Sequence, residues 1–117
     1  MTNEPRRYRN ISLAVTNSSQ DAYTCPANTT AIVKEIIVTN MHGSSDADIT
    51  LSLHDSSATS AQTKAFISTK EVSANDFLRL DSANIYLEAS DKIQAVASAN
   101  SALNLFLFLE EYYDPSR

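Results

Sequence analysis

From residue 103 to residue 109 every second position is leucine: Leu103, Leu105, Leu107 and Leu109 alternate with Asn104, Phe106 and Phe108. An extended strand turns successive side chains to opposite faces, so this spacing places four leucines on one face, whereas a helix would scatter them around its circumference. The same period recurs in Ile11, Leu13 and Val15. It returns in Ile49, Leu51 and Leu53 against Thr50, Ser52 and His54, and again in Ile93, Ala95 and Ala97 with Val96 opposite. No window sustains the helical spacing. The alternation predicts an all-β chain.

Between these segments the pattern is denser or broken by turns. Ile32, Ile36 and Val38 share one parity and Val33, Ile37 and Met41 the other, with Lys34 and Glu35 interrupting, so this strand is expected to be covered on both faces. The turn-forming Gly43-Ser44-Ser45-Asp46 predicts a β-hairpin to the strand around Ile49. The polar stretch from Asp55 to Gln62 reads as an exposed loop before a strand around Lys64 to Val72. Shorter apolar runs follow at Phe77, Leu78 and Leu80 and at Ile85-Tyr86-Leu87. The tally is about eight strands, at the spacing of a single antiparallel β-sandwich, jelly-roll-like or immunoglobulin-like. With Gly43 the only glycine, Asn, Asp and Ser are expected to supply the turn conformations.

The chain of 117 residues has room for one domain and one core. Its formal net charge of −5 offers no global attraction to nucleic acid or to anionic membranes. Its longest apolar run, residues 105–109, is far short of the roughly 20 residues that span a bilayer. The opening residues lack the apolar stretch of a signal peptide, so assembly in a host cytoplasm is expected, and the three Asn-x-Ser/Thr triplets at Asn10, Asn17 and Asn28 read as chance products of a Ser/Thr/Asn-rich chain. Within residues 1–10, Arg6, Arg7 and Arg9 outweigh Glu4, a local charge of +2 on a body of −7. That contrast predicts a basic N-terminal arm, residues 1–10, then a sandwich domain, 11–113, and a short tail, 114–117. Arg6, Arg7 and Arg9 would pair with carboxylates of a neighbour while Pro5 and Tyr8 bury apolar surface.

Residues suited to catalysis are few. His42 and His54 stand at a turn and a strand end, outside any metal-ligand spacing. Cys25, the only cysteine, excludes an intrachain disulfide and has no local base to make it a nucleophile. Asp46 and Asp48 lack the rest of a calcium loop, and one glycine cannot build a phosphate-cradling loop. The expectation is a non-enzyme with no catalytic residue, metal or cofactor. The tyrosines lack the basic interleaving of a single-strand-binding groove, so they are read as core rims or interface anchors.

Pro26-Ala27-Asn28-Thr29-Thr30-Ala31-Ile32-Val33, followed by Ile36-Ile37-Val38-Thr39-Asn40, resembles a turn and apolar strand of small β-sandwich virion proteins of tailed phages. Leu87-Glu88-Ala89-Ser90-Asp91-Lys92-Ile93 resembles a second element of that group, with Ser90 where glycine is usual. The likeness covers about residues 22–110. It implies a structural role in a virion, with no catalytic residues to carry over.

The leading expectation is a capsid decoration or cement protein, a homo-oligomer such as a trimer, bound to other virion proteins such as the major capsid protein. Neck, tail or baseplate attachment is the alternative, and a carbohydrate- or receptor-binding module is a third reading, disfavoured because the loops at 43–48, 55–63 and 98–102 carry no aromatic. Phe106, Phe108, Tyr112 and Tyr113 complete the interface candidates, because the last strand is apolar on both faces.

Overall fold

The computed structural model describes residues 6–56 and 62–115. Among these residues there are nine strands: β1 Arg6–Ala14, β2 Gln20–Thr24, β3 Thr29–Asn40, β4 Ala47–Asp55, β5 Gln62–Val72, β6 Phe77–Leu80, β7 Ile85–Leu87, β8 Lys92–Ala97 and β9 Leu103–Tyr113. They form two antiparallel sheets. One runs β1-β9-β3-β6, with β7 also pairing with β3, and the other runs β2-β8-β4-β5. Counting β6 and β7 as one interrupted strand, the chain has eight strands that wind between the sheets as two Greek keys. That order is the jelly roll, which removes the immunoglobulin-like alternative.

The leucines of β9 explain its place at the centre. Leu103, Leu105, Leu107 and Leu109 are buried between the sheets, while β1 and β3 hydrogen-bond to either side of β9. Val33, Ile36, Val38, Ile49, Leu51, Leu87 and Ile93 are among the residues that share this core. Fully burying one such side chain contributes roughly 1.5–3 kcal/mol.

The mixed parity of β3 has a local cause. A bulge between Val33 and Glu35 inserts Lys34 as an extra residue, so Ala31 and Val33 before it and Ile36 and Val38 after it all face the core. Ile32 and Ile37 are left half-buried on the outside, and the expectation of full cover on both faces gives way to one buried and one open face.

Other expectations are also corrected. β3 and β4 are not a hairpin: they lie in opposite sheets and face one another across the core. Asn40 holds the arch between them, donating from Nδ2 to the carbonyls of Ser45 and Val72 while its Oδ1 accepts from the His42 amide. Strand β2 escapes the period-two pattern because a bulge buries the adjacent Ala22 and Tyr23 together. Residues 6–10, assigned to the arm by their charge, are the first half of β1 and pair with β9 in register, Arg6 opposite Tyr112 and Asn10 opposite Phe108. Pro5 lies outside the described residues. Six of the seven left-handed residues are Asn or Ser, the side chains that tolerate this conformation: Asn28, Asn75, Ser82, Asn84, Ser90 and Ser101, with Thr69 the exception.

Candidate assembly interface

Strand pairing sorts the candidate residues by face. On the outer surface of the β1-β9-β3-β6 sheet, β9 presents Asn104, Phe106, Phe108, Glu110 and Tyr112, and β1 sets Ala14, Ser12, Asn10, Tyr8 and Arg6 beside them. On the other flank β3 contributes Thr39, Ile37, Glu35, Ile32 and Thr30. Beyond these come Phe77 opposite Thr39, Arg79 opposite Ile37 and Tyr86 opposite Ile32. Tyr8, Phe77 and Tyr86 are 71%, 60% and 68% exposed, far more than a satisfied core rim would be, and Phe108 is 37% exposed.

The opposite outer face is different in kind. Asp48, Thr50, Ser52 and His54 of β4 lie beside Lys92, Gln94 and Val96 of β8. Asp21 of β2 accepts hydrogen bonds from Lys92 Nζ at 3.1 Å and Gln94 Nε2 at 2.9 Å. Apart from Val96 these side chains are polar, although Phe66 of β5 in the same sheet is 38% exposed. The other sheet carries aromatic and aliphatic side chains from five strands.

Several polar groups on the aromatic face engage one another at its surface. Arg79 forms an ion pair with Glu35 and a second with Asp81 at 2.9 Å. The Arg6 guanidinium carbon lies 5.3 Å from the Tyr8 ring centroid, a cation–π contact. Tyr112 Oη donates to Glu110 Oε1 at 2.7 Å, which raises the Tyr112 pKa. A hollow of about 390 Å³ opens beside Phe108, walled by Tyr8, Asn10, Lys34 and Glu110.

The remaining candidates point elsewhere. Arg7 and Arg9 turn to the inner side of β1, where Arg7 Nε donates to Glu111 Oε1 at 2.7 Å and Arg9 Nη1 to Oε2 at 3.2 Å. Tyr23 Oη donates to the same Oε2 at 2.5 Å. Glu111 is 2% exposed. Burial works to raise its pKa, but the Tyr23 hydroxyl and the two arginines prevail and hold the carboxyl below its ordinary value. Burial, reinforced by Glu111, raises the Tyr23 phenol, and burial with Glu111 pushes the Cys25 thiol up to about 11. The three arginines therefore divide: Arg6 belongs to the open face, whereas Arg7 and Arg9 neutralise a buried carboxylate. Tyr113, 56% exposed, stands beyond the core on the inner parity, away from Phe106 and Phe108.

Of the residues singled out from the sequence, Arg6, Tyr8, Phe106, Phe108 and Tyr112 lie on this outer face; Ile32, Ile37, Phe77 and Arg79, which are not singled out, lie on it too, as does Tyr86, which the sequence places only among the tyrosines read as core rims or interface anchors. These come from short or bulged strands, and only strand pairing brings them to β9. Among the described residues no three His, Cys, Asp or Glu side chains are grouped to hold a metal, and no helix is long and apolar enough to cross a membrane.

No protein-family model matches the sequence, and a search of curated proteins gives no match. Solved structures share the fold. A chain of the T13 IBDV viral particle superposes with a TM-score of 0.56 at 7% identity, over 92% of this chain and 31% of its own. A subunit of the disulfide-linked pili of Bacillus endospore appendages gives 0.53 at 12% identity, over 92% and 86%. The nucleoplasmin-like N-terminal domain of Drosophila FKBP39 gives 0.50 at 12% identity, over 97% and 95%. The chain thus spans about a third of the viral protein and most of the other two. These likenesses define the class as a small antiparallel jelly roll, an architecture found in viral particles and in pili.

Proposed function

We propose that this chain is a non-enzymatic structural subunit of a tailed-phage virion, a decoration or cement protein that holds to its neighbours through the aromatic face of the β1-β9-β3-β6 sheet. The observation that carries the reading is the contrast between the two outer faces. A monomer gains nothing by exposing Tyr8, Phe77, Tyr86 and Phe108 together on one sheet while the outer face of β4 and β8 is, apart from Val96, made of Asp, Thr, Ser, His, Gln and Lys. The likeness of residues 22–110 to small virion proteins and the use of this fold in viral particles support the setting. The ion pairs of Arg79 with Glu35 and Asp81 suit a surface that is covered on assembly, because ions already satisfied cost less to desolvate.

The test is compositional. Mass spectrometry of particles purified from producing cells should find the chain at many copies per particle, and Phe106→Ser with Phe108→Ser should deplete it from particles while leaving the soluble protein folded. Absence of the wild-type chain from particles would refute the reading.

A further inference from the structure

The geometry points to a second copy of this chain as the occupant of the aromatic face, paired about a two-fold axis beside Ile37 and Phe106. This deepens the assembly reading by naming the partner, and rests on it only in supposing that the face is covered.

Charge restricts where two copies meet. The chain carries −5 overall, whereas this face holds Arg6, Lys34 and Arg79 against Glu35, Glu110 and Asp81, so that the whole −5 lies on the rest of the molecule. Two such bodies repel through most of their surfaces, and here they approach a face that is close to neutral.

The same face carries a knob and a hole. Phe77, 60% exposed on β6, is the knob, opposite Thr39 and in line with Asn104 of β9. The hollow between Tyr8, Lys34, Phe108 and Glu110 is the hole. By strand register they are about five residues apart along the sheet and about two strands across it, roughly 20 Å at a 3.4 Å rise and a 4.8 Å strand spacing.

Turning a copy over about an axis midway between them sets each Phe77 into the other's hollow. That axis passes beside Ile37 and Phe106, which occupy one row of the sheet, so these residues meet their own copies. Arg79, one strand out on the same row, is carried over the partner's Glu35, and the partner's Arg79 over Glu35 here. Ser12 falls on the partner's Asn104. A surface in which knob meets hole, cation meets anion and polar meets polar under a single operation is self-complementary, the requirement for an isologous dimer. Tyr86 is carried past the partner's edge and left outside the contact.

Sedimentation of the purified chain, with crosslinking, tests this. A dimer is expected in the wild type. Phe77→Asp and Arg79→Glu should each weaken it at least tenfold with unchanged circular dichroism, Arg79→Glu combined with Glu35→Arg should restore it, and Tyr86→Asp should leave it intact. Ile37→Cys should be joined to its own copy by a short bis-maleimide, since packed sheets stand about 10 Å apart, whereas Ser52→Cys on the opposite sheet should not. A monomer at high concentration, a dimer indifferent to Phe77→Asp, or one lost equally in Tyr86→Asp would overturn the pairing. A monomer that is nonetheless abundant in particles would overturn the pairing and leave the virion reading standing, while a dimer of this geometry absent from particles would do the reverse.

Discussion

Residue 90 shows how a single side chain is set against its backbone. Ser90 has φ 74°, a left-handed conformation, and its amide donates to the Cys25 carbonyl at 2.9 Å. A residue with a Cβ is disfavoured there by about 1–2 kcal/mol, part of which glycine loses again through its freer unfolded chain. Ser90→Gly should therefore raise stability by about 0.5–1 kcal/mol, read as a higher urea midpoint with an unchanged slope.

The Glu111 cluster gives an asymmetric expectation. Replacing both Arg7 and Arg9 by Ala strands a buried carboxylate and should cost about 3–5 kcal/mol. Glu111→Gln should cost less, because Arg7 is already 66% exposed and turns to water.

The same cluster fixes a pH window. The Glu111 pKa is lower folded than unfolded, so its contribution is full above the unfolded carboxylate range near pH 4.3 and is lost as pH falls through the folded value. Cys25 and Tyr23 are raised, so theirs is full below the unfolded values, roughly 8.5 and 10, and is lost as pH rises. Stability should peak between about pH 5 and 8, and Glu111→Gln should flatten the acid limb; an unaltered acid limb would assign it to other carboxylates.

At the scale of the element, β9 carries opposite tasks on its two faces. Leu107 is fully buried and Phe108 is 37% exposed although they are adjacent. Leu107→Ala should cost about 2–5 kcal/mol in chemical denaturation, the range for a core leucine that leaves a cavity. Phe108→Ser should cost the isolated chain about 1 kcal/mol or less, as surface changes do. If the two losses were equal, Phe108 would belong to the core and the outer face would lose its main anchor.

For the whole molecule, jelly-roll winding makes folding a search for distant partners. Among the described residues only β4 and β5 pair as chain neighbours, while β1 reaches β9 and β2 reaches β8 across most of the sequence. Such non-local pairing predicts refolding in milliseconds to seconds, faster phases being confined to local structure. Stopped-flow fluorescence of the tyrosines measures this, and complete refolding within microseconds would contradict the topology.

Alternation by itself determined the all-β class, the inward leucines of β9 and the outward Phe106 and Phe108, because a strand's period is a property of the backbone alone. With Gly43 the chain's only glycine, Asn and Ser likewise had to take most of the left-handed turns. The destination of each strand was decided by tertiary structure. Whether the Gly43 segment closes a hairpin or arches between sheets depends on which strands β3 and β4 pair with, and that depends on residues far along the chain. The bulges at Lys34 and between Asp21 and Tyr23 erased the period locally, hiding β2 and mixing the faces of β3. Net charge marked residues 6–10 as distinct but could not separate Arg6, open on the aromatic face, from Arg7 and Arg9, drawn inward by a glutamate about a hundred residues away. The aromatic face itself is a product of pairing: its side chains come from five strands, and only the hydrogen-bonded register of β1, β9, β3, β6 and β7 places them side by side.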